Sequence, residues 1–219
     1  MATVACLLVV LVSLLLIGCH RTLALLGRGA PKKMPLEHES KDIFLSLWLI
    51  PPRRNYEIIK EQMGRLSENG KKGPTFAPHI TIIGGISCQS EAHAMEMLRL
   101  LEEGLKGFGK IPCSLSSFAY SAKVWNQALY FTAELSAPLM NLCQKSRALL
   151  GMDTESWTFP APATYPHMSL FYGVDNVPDI TEVESIMPFH AYTLALWRTD
   201  PPTLEGVRQW REISTFDIR

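Results

Sequence analysis

The chain has 219 residues, of which 47% are hydrophobic, and its 21 Lys and Arg balance 21 Asp and Glu, so its formal net charge at pH 7 is zero. This length supplies a full hydrophobic core for one domain of ordinary size. A balanced charge provides no global field to attract long nucleic acid, although local groups can still hold a small anionic ligand. The five cysteines form no CxxC pair and show no zinc-like spacing to histidine, which indicates reduced thiols and predicts no metal site.

Residues 1–26 are the clearest break in composition. The run from Ala2 to Cys19 is uncharged and nearly all apolar, and basic residues follow it. Because no Lys or Arg precedes the run, the positive-inside bias predicts a membrane anchor that leaves the downstream domain in the cytosol. A cleaved secretory signal is the alternative, since the apolar run falls between the lengths typical of the two. Residues 27–40 are expected to be a tether, and residues 41–219 the folded domain.

The first half of the folded domain alternates strand and helix signals. Its first apolar run is closed by Pro51 and Pro52, which favours a buried strand. Ser90 precedes a helical stripe as an N-cap. The expected elements are a strand at 43–50, a helix at 56–66, a strand at 80–86, a helix from Ser90 to about Lys106 and a single strand near 112–119.

The second half repeats this order. Its elements are expected to be a strand at 128–134, a helix from Ser136 to Gly151, a strand that follows the loop at 159–166, a short helix behind the capping box that begins at Thr181, and closing strands at 190–198 and 209–216. Strand, helix, strand, helix and strand therefore occur twice in succession. This order predicts an internal duplication with two α+β lobes that face each other across a cleft.

Two short motifs of the same form lie on the second strand of each half. Residues 76–85 read FAPHITIIGG, and residues 165–173 read YPHMSLFYG. Residues two apart in a strand point to the same face, so His79 is expected beside Thr81, and His167 beside Ser169. Two such pairs in matching halves predict one site that is built from both.

An imidazole pair with two hydroxyl groups suits acid–base chemistry on a phosphate ester. Hydrolysis of a ribose cyclic phosphate needs a base on one side of phosphorus and an acid on the other. With an ordinary pKa of about 6.5, one histidine can be neutral while the other is protonated, without a metal. Thr81 and Ser169 can donate hydrogen bonds to the non-bridging oxygens. We take His167 as the base and His79 as the acid, although spacing alone does not decide between them.

Five segments of the sequence carry a resemblance to a known family. The two motifs resemble the H-x-(T/S) signatures of the 2H phosphoesterase superfamily. The segments SLWLIPP, PHITI, NQALYFTAEL, TYPHMSLFYG and LALWRTDPPTLEGVRQWREI make residues 42–215 similar to the plant and yeast type of cyclic phosphodiesterase. The resemblance implies an α+β fold of two pseudo-symmetric lobes, with antiparallel sheets facing a central cleft and helices outside.

The same resemblance implies an activity and a set of site residues. It implies hydrolysis of ADP-ribose 1″,2″-cyclic phosphate and of nucleoside 2′,3′-cyclic phosphates to 2′-phosphates, a step of RNA and tRNA splicing metabolism, without a metal or another cofactor. A tyrosine five residues after the second histidine and an aromatic, Gln-bearing loop over the base are also implied. The residues carried over are His79 and His167 as catalytic groups, Thr81, Ser169 and Tyr172 at the phosphate, and Trp125 and Gln127 at the base.

Strand spacing by itself does not bring Tyr172 to the site. It lies three residues past Ser169 and so formally points to the opposite face of the strand. A role in the site therefore requires a bend or twist of the chain at Gly173.

Three other functions remain open. An enzyme of the same superfamily that processes RNA ends is the first rival, although the balanced charge and the absence of a basic stripe disfavour a long RNA. A membrane-tethered, non-catalytic nucleotide-binding module is the second, and the intact motifs disfavour it. A metal hydrolase is the third, but neither histidine lies in an HExxH or HxH motif. We expect a monomer whose partners are a small cyclic-phosphate nucleotide and, through residues 1–26, a membrane.

Overall fold

The structure is a computed structural model that describes residues 43–68, 72–154, 166–175, 177–179, 181 and 183–219. The expected membrane segment at 1–26 and the tether at 27–40 lie outside the described residues, and so does most of the loop before the second motif. None of the helices within these ranges is long and apolar enough to cross a membrane.

The described ranges contain nine strands and three α-helices. The strands are β1 (Ile43–Ile50), β2 (Ile80–Cys88), β3 (Ile111–Cys113), β4 (Leu115–Tyr120), β5 (Leu129–Ala133), β6 (His167–Phe171), β7 (Phe189–Ala191), β8 (Thr193–Arg198) and β9 (Arg211–Asp217). The helices are α1 (Arg53–Leu66), α2 (Glu91–Leu105) and α3 (Ala137–Leu149). Two 3-10 helices, Trp125–Gln127 and Glu205–Gln209, precede β5 and β9.

Local sequence signals account for where two of the helices begin. The Ser90 hydroxyl accepts a hydrogen bond from the backbone N–H of His93 at 3.1 Å, and the Ser136 hydroxyl accepts one from Leu139 at 3.4 Å. Both N-caps were expected, because a serine oxygen satisfies a donor that the first helical turn leaves unpaired. The caps fix where α2 and α3 begin.

Seven of the strands form one antiparallel sheet. Their order is β4-β5-β6-β2-β1-β8-β9, while β3 and β7 form a separate two-stranded sheet. In β1 the side chains of Leu45, Leu47 and Leu49 are fully buried in the main hydrophobic core. Burial of this row, together with the apolar stripes of the helices, holds the helices against the sheet.

The large sheet is joined in its middle by a single residue pair. Strands β2 and β6 meet only at Thr81 and His167, whereas their other neighbours pair over several residues. One motif strand from each half of the chain therefore lies at the join. The two expected sheets are in contact here and form one continuous sheet.

The two halves of the sheet differ along the sequence, because β4, β5 and β6 are successive strands, whereas β2 and β1 are joined by strands from the end of the chain. Strand β4 pairs with β5, across the middle of the chain, and β8 returns from the end of the chain to pair with β1. Helix α1 packs against β6, and helix α3 packs against β2. Each half of the sheet is thus supported by a helix from the other half of the sequence.

The single strand expected near 112–119 is instead two strands in different sheets. Strand β3 pairs with β7, and β4 pairs with β5. The break falls at Ser114, whose carbonyl oxygen accepts a hydrogen bond from the N–H of Glu134 at 2.8 Å. The chain changes its pairing partner at this residue, so the segment at 112–119 contributes a strand to each of the two sheets.

The short helix expected behind Thr181 is wrong, because residues 183–188 have no regular structure. The backbone N–H of Thr181 donates to the Asp179 carboxylate at 2.9 Å, which closes a local turn. The carbonyl oxygen of Glu184 accepts from the Gln62 side chain at 3.2 Å. A helix could not have paired this carbonyl, because residue 188 is a proline and has no N–H, so the Gln62 side chain binds it instead.

Candidate active site

A row of paired residues crosses the middle of the large sheet on one face. Directly opposed residues in antiparallel strands point to the same side. The successive pairs, from β4 to β9, are Ser117 with Thr132, Thr132 with His167, His167 with Thr81, Thr81 with Trp48, Trp48 with Ala195, and Ala195 with Thr215. Both sequence motifs therefore present side chains to this face.

His79 lies immediately before β2 and is 1% exposed. Its Nδ1 is 2.6 Å from the carbonyl oxygen of Ala77. A carbonyl oxygen only accepts, so Nδ1 carries the proton and Nε2 is the atom that can exchange protons with a ligand. The ring stacks on Trp48, with centroids 3.6 Å apart and planes inclined by 6°, and Phe76 contacts it edge-on at 6.0 Å. These contacts fix the orientation of the imidazole.

The charged form of His79 is disfavoured in this environment. The pKa of His79 is lowered to about 3, mainly by burial; the hydrogen bond to Ala77 opposes this shift, and the nearby His167 adds to it. His79 is therefore neutral near pH 7 in the protein alone. It will gain a proton only if an anion placed beside it raises the pKa.

His167 is the first residue of β6 and is 9% exposed. Its Nε2 is 3.4 Å from the side-chain nitrogen of Gln127, which is also buried. Tyr130 meets its ring edge-on, with centroids 5.8 Å apart and planes inclined by 76°. The two histidines thus have different neighbours, since a parallel tryptophan covers one and an inclined tyrosine contacts the other.

The two motif hydroxyl groups also differ. The Ser169 hydroxyl is buried and donates a hydrogen bond to the carbonyl oxygen of Asn126 at 2.7 Å. Within the described ranges, the Thr81 hydroxyl makes no hydrogen bond. Thr81 is therefore available to a phosphate oxygen, whereas Ser169 must first leave Asn126 in order to donate to one.

Tyr172 reaches the site because the chain turns directly after β6. Gly173 has φ of 118°, a conformation that favours glycine, and its N–H donates to the carbonyl oxygen of Trp125 at 2.8 Å. The Tyr172 ring stacks on Phe76 at 3.6 Å, and its hydroxyl interacts with Ser169. Burial raises the pKa of Tyr172, so its hydroxyl stays protonated. The chain therefore has the bend at Gly173 without which strand spacing would direct Tyr172 away from the site.

All seven residues expected at the site lie together in the structure. Trp125 meets the Tyr172 ring edge-on at 5.5 Å, and it shares a 3-10 helix with Gln127. Gln127 lies against His167. The roles of these side chains toward a substrate remain predictions.

Four aromatic neighbours of the site were not expected from sequence, namely Trp48, Phe76, Tyr130 and Trp210. Trp48 lies in an almost entirely apolar run, a pattern that indicates a core residue, and it is 2% exposed. It alternates with Leu45, Leu47 and Leu49, however, and so occupies the opposite face of β1. That alternation was the available signal. The contacts of Trp210 depend on folding of the chain end and had no local signal.

Neither histidine lines the cavity of about 850 Å³. Helix α1 and residues 74–77 line it, together with Leu170, which points to the opposite face of β6 from Ser169. Among the described residues, no group of three His, Cys, Asp or Glu side chains could hold a metal ion. The polar groups suited to acid–base chemistry are instead those on the face that carries both motifs.

The chain is similar to one known protein family and to several solved structures. The sequence profile of the family described as "Cyclic phosphodiesterase-like protein" matches residues 44–196. The protein TT0787 of Thermus thermophilus superposes with a TM-score of 0.55 at 15% identity, covering 80% of this chain and 98% of that one. No curated protein matches the chain.

Two structures of E. coli LigT are also similar. The apo form gives a TM-score of 0.53 at 13% identity, and the form complexed with 3′-AMP gives 0.53 at 11% identity. Each covers 81% of this chain and 98% of its own. At these identities the likeness concerns the fold alone, and it confirms the predicted antiparallel α+β fold class.

Proposed function

The chain belongs to the cyclic phosphodiesterase-like family of the 2H phosphoesterases, and we propose that it hydrolyses nucleoside 2′,3′-cyclic phosphates and ADP-ribose 1″,2″-cyclic phosphate. The products are the 2′-phosphate and the 1″-phosphate, respectively. The observation that carries the proposal is the single pair of Thr81 with His167, which joins one residue of each motif across the middle of the sheet. A ligand phosphate at this join can contact both histidines.

The reaction is an attack of water on phosphorus. The oxygen of water forms a new bond to phosphorus, its proton passes to a base, and the bond from phosphorus to the 3′ oxygen breaks. The leaving oxygen takes a proton from an acid on the opposite side. We assign the base to His167 and the acid to Nε2 of His79, so each ring holds or moves one proton.

The neutrality of His79 sets a condition on this assignment. An acid must hold a proton when the bond breaks, but burial favours the neutral form. A negatively charged phosphate beside Nε2 favours the imidazolium and raises the pKa of His79. Under this assignment, binding of the substrate leads to protonation of His79. The opposite assignment, with His79 as the base, needs no such proton uptake.

Hydroxyl groups supply hydrogen bonds to the phosphate. Thr81 donates to a non-bridging oxygen, where negative charge increases in the transition state. Tyr172 stays protonated and interacts with Ser169, so it holds the serine hydroxyl as Ser169 turns from Asn126 toward the ligand. The proposal thus gives every polar group of the two motifs a part in binding or proton transfer.

The test is an activity assay of the full-length protein in mild detergent and EDTA. Adenosine 2′,3′-cyclic phosphate and ADP-ribose 1″,2″-cyclic phosphate serve as substrates, and the product isomer is identified. His79→Ala and His167→Ala should each lower kcat by about 10²- to 10⁴-fold, which is the usual contribution of one acid or base. His190→Ala is the matched control, because this histidine lies exposed on β7 and should leave kcat unchanged.

Different outcomes identify different functions. Near-normal turnover by either motif variant would refute acid–base catalysis by these histidines. Activity that EDTA abolishes would indicate a metal hydrolase. A folded protein that turns over neither ester would contradict the proposal, and oligonucleotides with cyclic phosphate ends would then test RNA-end processing.

A further inference from the structure

Most aromatic rings near His79 have faces that are already covered. Trp48 has His79 stacked on one side at 3.6 Å and Trp197 at 4.5 Å, with planes inclined by only 6° and 25°. Phe76 and Tyr172 stack on each other at 3.6 Å and 9°. A near-parallel neighbour at such a distance occupies one of the two ring faces on which a planar ligand could stack.

Trp210 is different, because its ring contacts are all inclined. Its centroid lies 6.0 Å from Tyr172, 6.2 Å from Trp125 and 6.3 Å from Trp48, with interplanar angles of 69°, 55° and 54°. In the described part of the chain, no ring stacks in parallel on Trp210. Its side chain is half-buried. A planar group can therefore stack on it without displacing another ring.

The orientation of the Trp210 ring is fixed by its own loop. The indole N–H donates to the carbonyl oxygen of Pro201 at 3.0 Å, and the backbone N–H donates to Val207 at 3.2 Å. Gly206 lies so close to the same carbonyl that a Cβ there would overlap the oxygen. A ring held in this way loses little conformational entropy when a ligand stacks on it.

The position of Trp210 links it to both motifs. It contacts Trp48, which stacks on His79, and it contacts Tyr172, whose hydroxyl interacts with Ser169. A ligand whose phosphate lies between the motifs can thus extend a planar group toward Trp210. An indole ring favours a π-system as its stacking partner.

We propose that Trp210 is the stacking platform for the nucleobase of the substrate, with the inclined Trp125 ring at the side of the base. This inference rests on the proposed function, since it names the part of the substrate that extends beyond the cyclic phosphate. Trp210 contributes to affinity for the base, and the two histidines carry out proton transfer.

The test compares a nucleoside ester with an ester that lacks a base. The full-length protein in detergent is assayed on adenosine 2′,3′-cyclic phosphate and on glycerol 1,2-cyclic phosphate. Stacking of one base on an aromatic side chain corresponds to about 5- to 100-fold in affinity. Trp210→Ala should raise KM for the adenosine ester by this factor, keep kcat within about twofold, and leave KM for the glycerol ester unchanged.

Two further variants separate stacking from a structural role. Trp210→Phe keeps a flat ring and should recover most of the lost affinity. Tyr120→Ala removes an aromatic ring that is 67% exposed on β4 and should have no effect on either ester. A KM for the adenosine ester that Trp210→Ala leaves unchanged would overturn the proposal. Equal losses on both esters would overturn it as well, because they indicate a general disturbance of the fold.

A binding measurement keeps this inference separate from the proposed activity. If the unsubstituted protein hydrolyses neither ester, the proposed function fails. Calorimetric titration with adenosine 2′-monophosphate and with glycerol 2-phosphate still tests the platform. Selective loss of affinity for the nucleotide in Trp210→Ala supports stacking, whereas no loss or an equal loss for both ligands overturns it.

Discussion

His79 and His167 occupy matching places in their motifs but have unequal surroundings. Trp48 is paired with the motif hydroxyl residue Thr81, and Tyr130 is paired in the same way with Ser169. Trp48 covers the face of His79, whereas Tyr130 meets the edge of His167. One aromatic residue on each neighbouring strand thus makes the two imidazoles chemically different, which acid–base catalysis with two opposite roles requires.

The burial of His79 makes stability depend on pH. The pKa of His79 is about 3 in the folded protein and about 6.5 in an unfolded chain. Between these values the unfolded state binds the additional proton, so the free energy of unfolding falls as pH decreases from about 6.5 toward 3. The contribution of this residue is at most about 1.4 kcal/mol per pH unit.

Urea denaturation at a series of pH values measures this effect. His79→Gln cannot titrate and should lose less stability than the unsubstituted protein between pH 6.5 and pH 4. His190→Gln changes a side chain that is exposed on β7, so its stability should follow that of the unsubstituted protein. Parallel curves for the protein and for His79→Gln would show that the pKa of His79 is not lowered by burial.

The segment that carries the first motif is packed tightly against the end of β6. A Cβ added at Gly73 would lie 2.6 Å from the carbonyl oxygen of Tyr172 and 3.0 Å from the Phe171 ring. Gly73→Ala must therefore displace one of these residues. We expect it to destabilise the protein by about 1–3 kcal/mol and to lower kcat/KM, because Tyr172 lies on the site.

Gly84→Ala provides the matched control for that substitution. Its added Cβ would meet only the methyl group of Thr81 at 3.7 Å, which is ordinary contact. Denaturation midpoints and kcat/KM of both variants give the comparison. If the two glycine substitutions have the same effect, close packing at Gly73 does not determine the position of Tyr172.

The sequence predicted those elements whose signals are local. Strand β1 ends where proline follows it, and Ser90 and Ser136 cap the helices as expected. Strand pairing was not predicted in the same detail. The residue at which the segment 112–119 passes from one sheet to the other depends on the strands that pair with it, and one of these, β7, lies far along the chain. The helix expected behind Thr181 is absent from residues 183–188, where the carbonyl oxygen of Glu184 is bound by Gln62, a residue that is distant in sequence.

The sequence predicted which side chains lie close together better than it predicted the sheet that supports them. The repeated Pro-His-x-(Thr or Ser) pattern singled out both histidines, and all seven residues expected at the site lie together, while their roles stay predictions. The pattern carries no information on rings that come from other strands. Trp48, Tyr130 and Trp210 reach the site only through β1, β5 and the turn before β9, so their roles required the structure.

The proposal that residues 1–26 anchor the protein concerns the whole chain. The uncharged apolar run at 2–19 with basic residues after it is the supporting observation. Alkaline carbonate extraction should leave the full-length protein in the membrane pellet, and protease protection should report a domain on the cytosolic side. A shortened protein that carbonate releases would instead indicate a cleaved signal.

The interleaved strand order has a consequence for the order in which the site is completed during synthesis. A chain that has been made only as far as residue 190 already contains both histidines, but it lacks β8, which pairs with the second edge of β1. It also lacks Trp197 and Trp210, which contact Trp48. Contacts this distant in sequence form late. Both motifs therefore leave the ribosome well before the rings and strands that complete their surroundings.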